Sequence, residues 1–323
     1  MAIEQLVRKY RRRFRGLVTG HGFRDVPPAI VPAAVTGQGD LYAKRSIDAT
    51  QLRYPDGKGD GAERLLSVLC RGAHLDSAAF RYWTQRLQVG TAYHRKAWEF
   101  ALICQALYER GALRPGARGL GFAVGCEPLP ALFAAFGCQI LATDLALEDH
   151  RSGKWSRANQ WAGKLEPLAR PEICDDKAFH ERVTYQPADM NDIPSELRGF
   201  DFTWSSCSFE HCGSIDLGKR FILEQMKCLA PGGWAVHTTE FNLSSNTHTR
   251  TKGHTVVFRR RDIEDICRSL QAEGHYVEPL DLNAGTDPID AHIDDQPFTD
   301  RHLRLRIGHY AATSIGLIMR KKS

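Results

Sequence analysis

The sequence contains no apolar run long enough to cross a membrane. A membrane-spanning helix needs about 18 consecutive apolar residues, and no run among the 323 residues reaches that length. The opening segment MAIEQLVRKYRRRFRG also lacks the apolar core of a secretion signal. We therefore expect a cytoplasmic protein rather than a membrane or secreted one.

Paired cysteines are missing as well. The nine cysteines include no C-x-x-C pair, and the two nearest in sequence, Cys207 and Cys212, stand five positions apart. An odd, scattered set is neither a disulfide framework nor a zinc ribbon, and it is typical of a reducing cytosol.

The chain has little excess charge of one sign. The formal net charge is +5, and much of it lies in the run from Arg8 to Arg15. Such a run can touch an anionic membrane surface or another polyanion, although a solvated basic terminus has the same composition. The charge balance therefore indicates no specific nucleic-acid partner and leaves peripheral contact with a membrane or polyanion open.

The most informative segment runs from Arg118 to Asp144. An apolar run ends at the small-residue turn Ala123-Val124-Gly125, a helix with core spacing follows, and a second apolar run ends in an acid. This pattern is typical of a β-α-β unit with a nucleotide-type cleft at its first turn. Gly125 and Asp144 are 19 positions apart, close to the ~20 expected for an acid that binds ribose hydroxyls.

Glu127 bears on which cofactor such a cleft would take. In dinucleotide sites, the free N–H groups at the helix start face a pyrophosphate. Here Glu127-Pro128 indicates an N-terminal acid followed by proline at the first helical position, and a carboxylate there would repel a phosphate. S-adenosylmethionine (SAM) carries no phosphate, and its amino and sulfonium groups are cationic. With Ala123 in place of the first glycine of G-x-G-x-x-G, the acid favours SAM over NAD.

Strand-like and helical patterns alternate along the rest of the chain. Predicted strands cover 118–124, 138–143, 183–185, 200–206, 234–240, 276–282 and 311–320, and predicted helices cover 94–111, 128–136, 216–228 and 261–273. This alternation predicts an α/β fold with a doubly wound, mostly parallel, seven-stranded Rossmann-like sheet. Residues 1–93 are expected to form a basic helical or irregular extension or lid, and residues 94–323 the main domain.

Five segments, in this order, resemble class I SAM-dependent methyltransferases across residues 94–320. They are GFAVGCE at 121–127, ATD at 142–144, ADM at 188–190, FDFTWSSCSFEH at 200–211 and CLAPGGWAVHTTEF at 228–241. The motifs EH-x-G and PGG-x-AVHTTEFN resemble a bacterial subset associated with glycan biosynthesis. The resemblance implies SAM as the cofactor and methyl transfer as the activity.

The resemblance also implies cofactor contacts, residue by residue. The first turn would line the methionine part, Asp144 would bind both ribose hydroxyls, and Asp189 with the Met190 N–H would bind adenine. The cofactor-binding set is Gly121, Ala123, Gly125, Glu127, Asp144, Asp189, Met190, Ser205 and Ser206, the two serines lying beside the methyl group. The family usually has an acid at Gly121 and a glycine at Ala123. Asp144 as a helix cap and Asp189 as an ordinary strand-end acid are the structural alternatives.

Two pairs of residues are candidates for deprotonating a hydroxyl acceptor. Glu210-His211, just past the fourth strand, is the first pair, and His237 with Glu240 is the second. Because they are three positions apart on a strand, His237 and Glu240 face opposite sides unless the strand bends. A helix-capping or merely supporting role is the alternative for His211.

The absence of one motif limits the range of acceptors that the sequence predicts. The D/N-P-P-Y motif of methyltransferases that act on adenine or glutamine amides is absent after strand four, which argues against exocyclic-amine methylation of DNA. Segments 241–257 and 282–309 are expected to be insertions that select the acceptor. The second segment is rich in acids and histidine, which is more often solvated surface than a metal site, so we predict no metal. The residues concerned are Asp290, His292, Asp294 and Asp295.

We therefore predict a SAM-dependent methyltransferase that modifies oxygen on a small-molecule or sugar-containing acceptor. On the helix before strand one, Arg95 and Lys96 are candidates for binding a substrate carboxylate or phosphate. The alternatives are a non-catalytic SAM-binding or scaffold protein and an NAD(P)-dependent Rossmann oxidoreductase. The sequence leaves the acceptor, the methylated atom and the oligomeric state open.

Overall fold

A computed structural model describes residues 64–90, 93–146, 149, 163–299 and 301–323. The basic run at 8–15 and the greater part of the expected N-terminal extension lie outside these residues. Within the described part of the chain, no helix is both long enough and apolar enough for a membrane span.

A short strand and three helices precede the central sheet. They are β1 (Ser67–Val68), α1 (Gly72–Leu75), α2 (Ala78–Arg86) and α3 (Arg95–Glu109). Ser77 caps α2 by accepting the Phe80 N–H, and His94 caps α3 by accepting the Lys96 N–H. Most of α3 is buried on all sides, as expected for a helix inside the core.

The remaining elements alternate as the sequence predicts. The strands are β2 (Arg118–Gly121), β3 (Gln139–Asp144), β4 (Val183–Pro187), β5 (Phe200–Ser206), β6 (Leu229–Asn242), β7 (Tyr276–Val277), β8 (Leu280–Asp281), β9 (Leu305–Ile307) and β10 (Tyr310–Arg320). The helices are α4 (Leu129–Ala135), α5 (Asp176–Arg182), α6 (Ile215–Gln225), α7 (Arg260–Ala272) and α8 (Pro288–Ala291).

The main sheet confirms the doubly wound α/β prediction. Its order is β4-β3-β2-β5-β6-β10-β7, with β9 added on β10. Strands β2 to β6 run parallel to their neighbours, whereas β10 is antiparallel to β6. The reversal of strand order between β2 and β5 creates a cleft at the carboxyl ends of the parallel strands, where such sheets bind ligands.

The last predicted strands differ from the observed ones. The sheet has eight strands instead of seven, and the predicted strand 276–282 divides into β7, in the main sheet, and β8, which pairs with β1. Pro279 separates the two because proline has no N–H to continue a ladder. Its carbonyl instead accepts the Ser67 N–H at 3.1 Å.

Residues 64–90 share the core of the sheet. Ser67 Oγ accepts the Ile318 N–H at 3.0 Å, and the Cys70 N–H donates to the Ser314 carbonyl at 2.8 Å. Trp83, on α2, is fully buried against the same apolar cluster as α3 and α4. Residues 64–90 are therefore joined to β10 by hydrogen bonds and by apolar packing.

Candidate functional site

Asp144, the last residue of β3, meets the turn that follows β2. Its Oδ2 accepts the Gly125 N–H at 3.1 Å, and its Oδ1 accepts the Leu145 N–H at 2.9 Å. The side chain is held at the strand end with only 6% of the residue exposed. A carboxylate offers about four acceptor sites, more than these two backbone bonds use. The 19-position spacing in the sequence is therefore a direct contact in the fold.

Asp189 and Met190 follow β4, the neighbour of β3. The Ala188 N–H donates to the Asp144 carbonyl at 2.8 Å, which brings the two strand ends together. Asp189 is half-buried, and its Oδ1 accepts the Asn191 N–H at 2.9 Å. The structure thus places the two acids predicted for ribose and adenine on adjacent strand ends.

The turn after β2 has a glycine-type backbone although its sequence is poor in glycine. Ala123 has φ of 49° and Gly125 has φ of 53°, both in the left-handed region. This conformation costs a non-glycine residue about 1–2 kcal/mol. The departure at Ala123 therefore leaves the shape of the turn unchanged, at the expense of some strain.

The position of Gly121 has no room for a side chain. A Cβ at this position would lie 2.4 Å from Cζ2 of Trp204 and 2.6 Å from Cγ1 of Val124. Trp204 is fully buried, with its ring 5.0 Å from the ring of Phe133 in an edge-to-face arrangement. The tryptophan on β5 occupies the space that a side chain at 121 would need.

Glu127 is bonded to the same tryptophan. Its Oε1 accepts the Trp204 Nε1–H at 2.7 Å, and 7% of the residue is exposed. Burial raises the pKa of Glu127 to about 8, while the Trp204 hydrogen bond and Lys96 oppose the rise and Asp144 adds to it. Helix α4 begins at Leu129 with Pro128 as its N-cap, so the predicted position of Pro128 was wrong by one residue. The Glu127 carboxyl bonds to β5 instead of the helix start.

Replacing Glu127 with glutamine is expected to remove a pH-dependent loss of stability. Folding raises the carboxyl pKa from 4.5 to about 8, so its contribution is fully present below the lower value and lost as pH rises through the higher one. Between them, the wild-type free energy of unfolding should fall by about 1.4 kcal/mol per pH unit relative to Glu127→Gln. Urea unfolding across this window measures the difference. Glu181→Gln, on the exposed surface of α5, is the control, and parallel profiles for wild type and Glu127→Gln would contradict the expectation.

The two serines that end β5 lie on opposite faces of the sheet. Ser205 Oγ lies 2.8 Å from His237 Nδ1 in the core, whereas Ser206 Oγ donates to Glu99 Oε2 at 3.0 Å on the α3 side. Successive strand residues alternate between faces, so both cannot line one site. Ser206 lies on the same side as the candidate base Glu240, which ion-pairs with Arg95 of α3.

His237 and Glu240 also face opposite sides of their strand. His237 is 0% exposed, and its ring packs edge-on against Phe221 at 5.5 Å. Burial lowers the pKa of His237 to about 3. His237 is therefore enclosed in the apolar core and bonded to Ser205, where it supports the fold and does not face an acceptor.

Glu210 and His211 form a 3-10 turn with Phe209 directly after β5. Glu210 is buried, and its Oε2 accepts the Thr239 hydroxyl at 3.0 Å. His211 Nδ1 lies 2.6 Å from the His254 carbonyl, and its Nε2 lies 3.6 Å from Glu210 Oε1. Because a carbonyl only accepts, Nδ1 carries the hydrogen and Nε2 is the basic nitrogen of the neutral ring.

A buried charge cluster lies where α3 begins, against the ends of β5 and β6. We define it as Arg95, Lys96, Glu99 and Glu240. Arg95 forms an ion pair with Glu240, and Lys96 Nζ lies 2.5 Å from Glu99 Oε2. Burial raises the pKa of Glu99, but Lys96 and Arg95 outweigh it and hold that pKa at about 2. The predicted anion-binding candidates Arg95 and Lys96 are therefore already engaged in internal ion pairs.

Hydroxyl and thiol groups complete the charge cluster. Ser314 Oγ and Cys207 Sγ donate to Glu99 Oε1 at 2.6 and 2.9 Å. Glu240 Oε2 is buried without a hydrogen-bond partner in the described part of the chain. Cys207 has φ of 45°, a conformation that is strained for a non-glycine residue. Strain and a buried unpaired oxygen are both typical of functional sites.

The charge cluster also contacts a potential set of metal ligands. Ligand atoms of Cys207, Glu210 and Glu240 lie within 4.8 Å of one another. However, Arg95 is paired with Glu240, and burial together with Glu99 raises the pKa of the Cys207 thiol well above its usual range. A divalent cation would therefore face a fixed positive charge and a protonated thiol, so the geometry favours ion pairing over metal binding.

Two acids of segment 282–309 are buried, although its composition predicts solvated surface, while Asp295 is exposed as predicted. Asp290 is buried, and its Oδ1 accepts the Gly72 N–H at 2.8 Å. Asp294 is buried too, with its Oδ2 2.6 Å from His302 Nδ1. Both acids satisfy internal donors, because the loop packs on α1 and on the start of α3.

The other expected insertion, 241–257, approaches the Glu210-His211 turn. The Val256 N–H donates to the Glu210 carbonyl at 3.0 Å, and the Gly253 N–H donates to the Gly213 carbonyl at 2.9 Å. Its first two residues belong to β6, which ends at Asn242. This loop is therefore positioned to influence what reaches His211.

Sequence reasoning missed Glu99 and Trp204. Glu99 follows Arg95 and Lys96 by four and three positions on a helix that is otherwise mostly apolar. Charges at this spacing on a buried helix could have indicated an internal ion cluster. No sequence signal identifies Trp204 as the partner of Glu127, because 77 positions separate them.

No protein-family model and no curated protein matches the chain. Among solved structures, a proposed sarcosine dimethylglycine methyltransferase from Galdieria sulphuraria is 14% identical, covers 80% of this chain and 93% of its own, and has a TM-score of 0.46. A SAM-dependent methyltransferase from Mesorhizobium loti is 15% identical, with coverages of 67% and 96% and a TM-score of 0.42. A Burkholderia thailandensis 1,6-didemethyltoxoflavin-N1-methyltransferase with bound S-adenosylhomocysteine is 15% identical, with coverages of 78% and 82% and a TM-score of 0.38. These structural neighbours are methyltransferases, but none is similar enough to assign its substrate to this chain.

Proposed function

We propose that the protein is a SAM-dependent methyltransferase. The observation that supports this best is the contact between Asp144 and Gly125 at the switch point of the sheet, with Asp189 on the next strand end. A carboxylate bonded to a left-handed turn suits a nucleoside whose ribose lies across the strand ends. A dinucleotide cofactor is the alternative; Glu127 does not decide against it, because its carboxyl bonds to Trp204 and not to the helix start, and a change in NADH fluorescence on mixing with the chain would favour it.

The residues present fit SAM chemically. Asp144 would accept ribose hydroxyls, Asp189 would accept the adenine amino group, and the turn from Ala123 to Gly125 would lie against the methionine part. When bound, SAM supplies a methyl group on a sulfonium, already a good electrophile. The protein then has mainly to orient an acceptor atom in line with that methyl and to remove its proton.

We further propose a hydroxyl on a small-molecule or sugar-containing compound as the acceptor, with His211 as the base. The His211 Nδ1–H donates to the His254 carbonyl at 2.6 Å, so Nε2 is the nitrogen that would take the proton. Glu210 lies 3.6 Å from Nε2 and would stabilise the imidazolium once the proton has moved. The loop at 241–257 contacts this turn and would contribute to acceptor selection.

Replacing His211 with glutamine is expected to lower turnover by about 100-fold or more, the usual contribution of general-base catalysis. SAM affinity should change little, because His211 lies after β5 and not at the ends of β3 and β4. Formation of S-adenosylhomocysteine with a panel of sugars and glycolipid precursors measures turnover. His180→Gln, on the exposed surface of α5, is the control. Near-normal turnover in His211→Gln would exclude His211 as the base.

A non-catalytic SAM-binding protein is the second candidate. It is favoured by the burial of the acceptor-side groups Ser206, Glu210 and Glu240 against internal partners. If the chain binds SAM but forms no S-adenosylhomocysteine with any acceptor of the panel, this candidate replaces the enzyme.

A further inference from the structure

One indole ring controls two positions of the cofactor turn. Trp204 approaches Gly121 so closely that a side chain there would lie 2.4 Å from the ring, and its Nε1–H donates to Glu127 at 2.7 Å. The ring therefore leaves no room for an acid at position 121, and its N–H holds the Glu127 carboxyl against β5. The carboxyl that this turn does carry, Glu127, comes two residues after Gly125.

The Glu127 carboxyl is compensated only in part. Burial raises its pKa, and Asp144 on β3 and Glu99 on α3 add to the rise, while the hydrogen bond from Trp204 and the charge of Lys96 on α3 lower it. Lys96, however, has its ammonium 2.5 Å from Glu99 Oε2. Two further groups lie in the neighbourhood. Arg170 donates to the Cys126 carbonyl at 2.7 Å. Burial raises the pKa of the Cys104 thiol, and Glu127 adds to that rise.

A buried carboxyl in this position is suited to a cationic ligand. Burial of an isolated carboxylate is costly, so such a group stays protonated until a positive charge arrives. The methionine part of SAM carries an ammonium, and the turn that precedes Glu127 is where that part would lie. The acid is thus poised to change its charge state when the cofactor binds.

We propose that Glu127 is the counter-ion of the SAM ammonium and that cofactor binding is coupled to release of its proton. This inference rests on the proposed function, since it assumes that SAM occupies the cleft. In the step, the Glu127 O–H bond breaks, the proton goes to solvent and the carboxylate pairs with the ammonium. The hydrogen bond from Trp204 is kept, because a carboxylate accepts it at least as well as the neutral acid.

Calorimetric titration of the full chain in two buffers of different ionisation enthalpy tests the coupling. For SAM near neutral pH, the heats should differ by an amount that corresponds to release of about one proton per site. Glu127→Gln should release none and bind SAM about 10- to 100-fold more weakly, because a charge-assisted bond is lost. Equal heats in both buffers for wild type would overturn the proposal, whether or not the variant folds.

A ligand without the ammonium provides the matched control. 5′-Methylthioadenosine keeps the adenosine part but has no amino-acid group, so it should bind with no proton release and with equal affinity to wild type and Glu127→Gln. If methylthioadenosine also releases a proton from wild type, Glu127 is not responding to the ammonium and the proposal fails. Absence of SAM binding to folded wild type would instead refute the proposed function, which separates the two failures.

Discussion

Asparagine in place of Asp144 is expected to weaken SAM binding by at least about 100-fold. A carboxylate that accepts bonds from two ribose hydroxyls contributes about 1.5–3 kcal/mol through each charged bond, and 2.8 kcal/mol already corresponds to about 100-fold. The amide would also present donors next to the Gly125 N–H, which Asp144 Oδ2 now accepts at 3.1 Å. Calorimetric titration with SAM and S-adenosylhomocysteine measures the loss.

Asp265→Asn is the matched control for this substitution. Asp265 lies on α7, where it pairs with Lys219 at the surface, so its variant should bind SAM as wild type does. Circular dichroism of both variants shows whether the fold is retained. If folded Asp144→Asn binds SAM within a few-fold of wild type, Asp144 only caps the turn, and the cofactor site lies elsewhere.

Methionine in place of Arg95 is expected to destabilise the fold by about 3–5 kcal/mol, the usual cost of leaving one partner of a buried ion pair without the other. The substitution keeps most of the side-chain volume but removes the cation paired with Glu240. It also removes one of the two positive charges that lower the pKa of Glu99. Urea unfolding near neutral pH measures the change.

Removing both partners separates charge from packing. Arg95→Met/Glu240→Gln should recover much of the lost stability, because the carboxylate that was left unpaired is gone. Arg268→Met, on the exposed side of α7, should change stability by less than about 0.5 kcal/mol. A loss below about 1 kcal/mol for Arg95→Met alone would show that Lys96 or water compensates Glu240 without it.

Local patterns predicted the parts of the fold whose partners are close in sequence. The β-α-β unit from β2 to β3 follows from apolar periodicity and one acid at a fixed distance, and the structure forms the Asp144–Gly125 contact between them. Strand β5 has the predicted bounds. The prediction of a single strand over 276–282 was wrong, because apolar periodicity does not show that Pro279 interrupts the hydrogen bonds of a ladder.

The charge cluster could not be predicted in the same way. Arg95 and Glu240 are 145 positions apart, and Ser314 is 215 positions from Glu99. On sequence alone, Arg95, Lys96 and Glu99 have the spacing of charges on a solvated helix surface. Only the packing of α3 against the ends of β5 and β6 shows that these charges are buried. The bond between Trp204 and Glu127 could not be predicted either, because the two residues are 77 positions apart in sequence.

The position of β10 bears on how the chain is made in the cell. Tyr310–Arg320 comes after β7 in the sequence, yet it lies between β6 and β7 and also bonds to residues 67–70. During synthesis, the edge of β6 therefore has no partner until Tyr310–Arg320 has left the ribosome. An open edge of this kind invites pairing with other chains. The sheet closes only after β10 emerges, so a chain truncated before Tyr310 should leave β6 open and depend on chaperones that cover it.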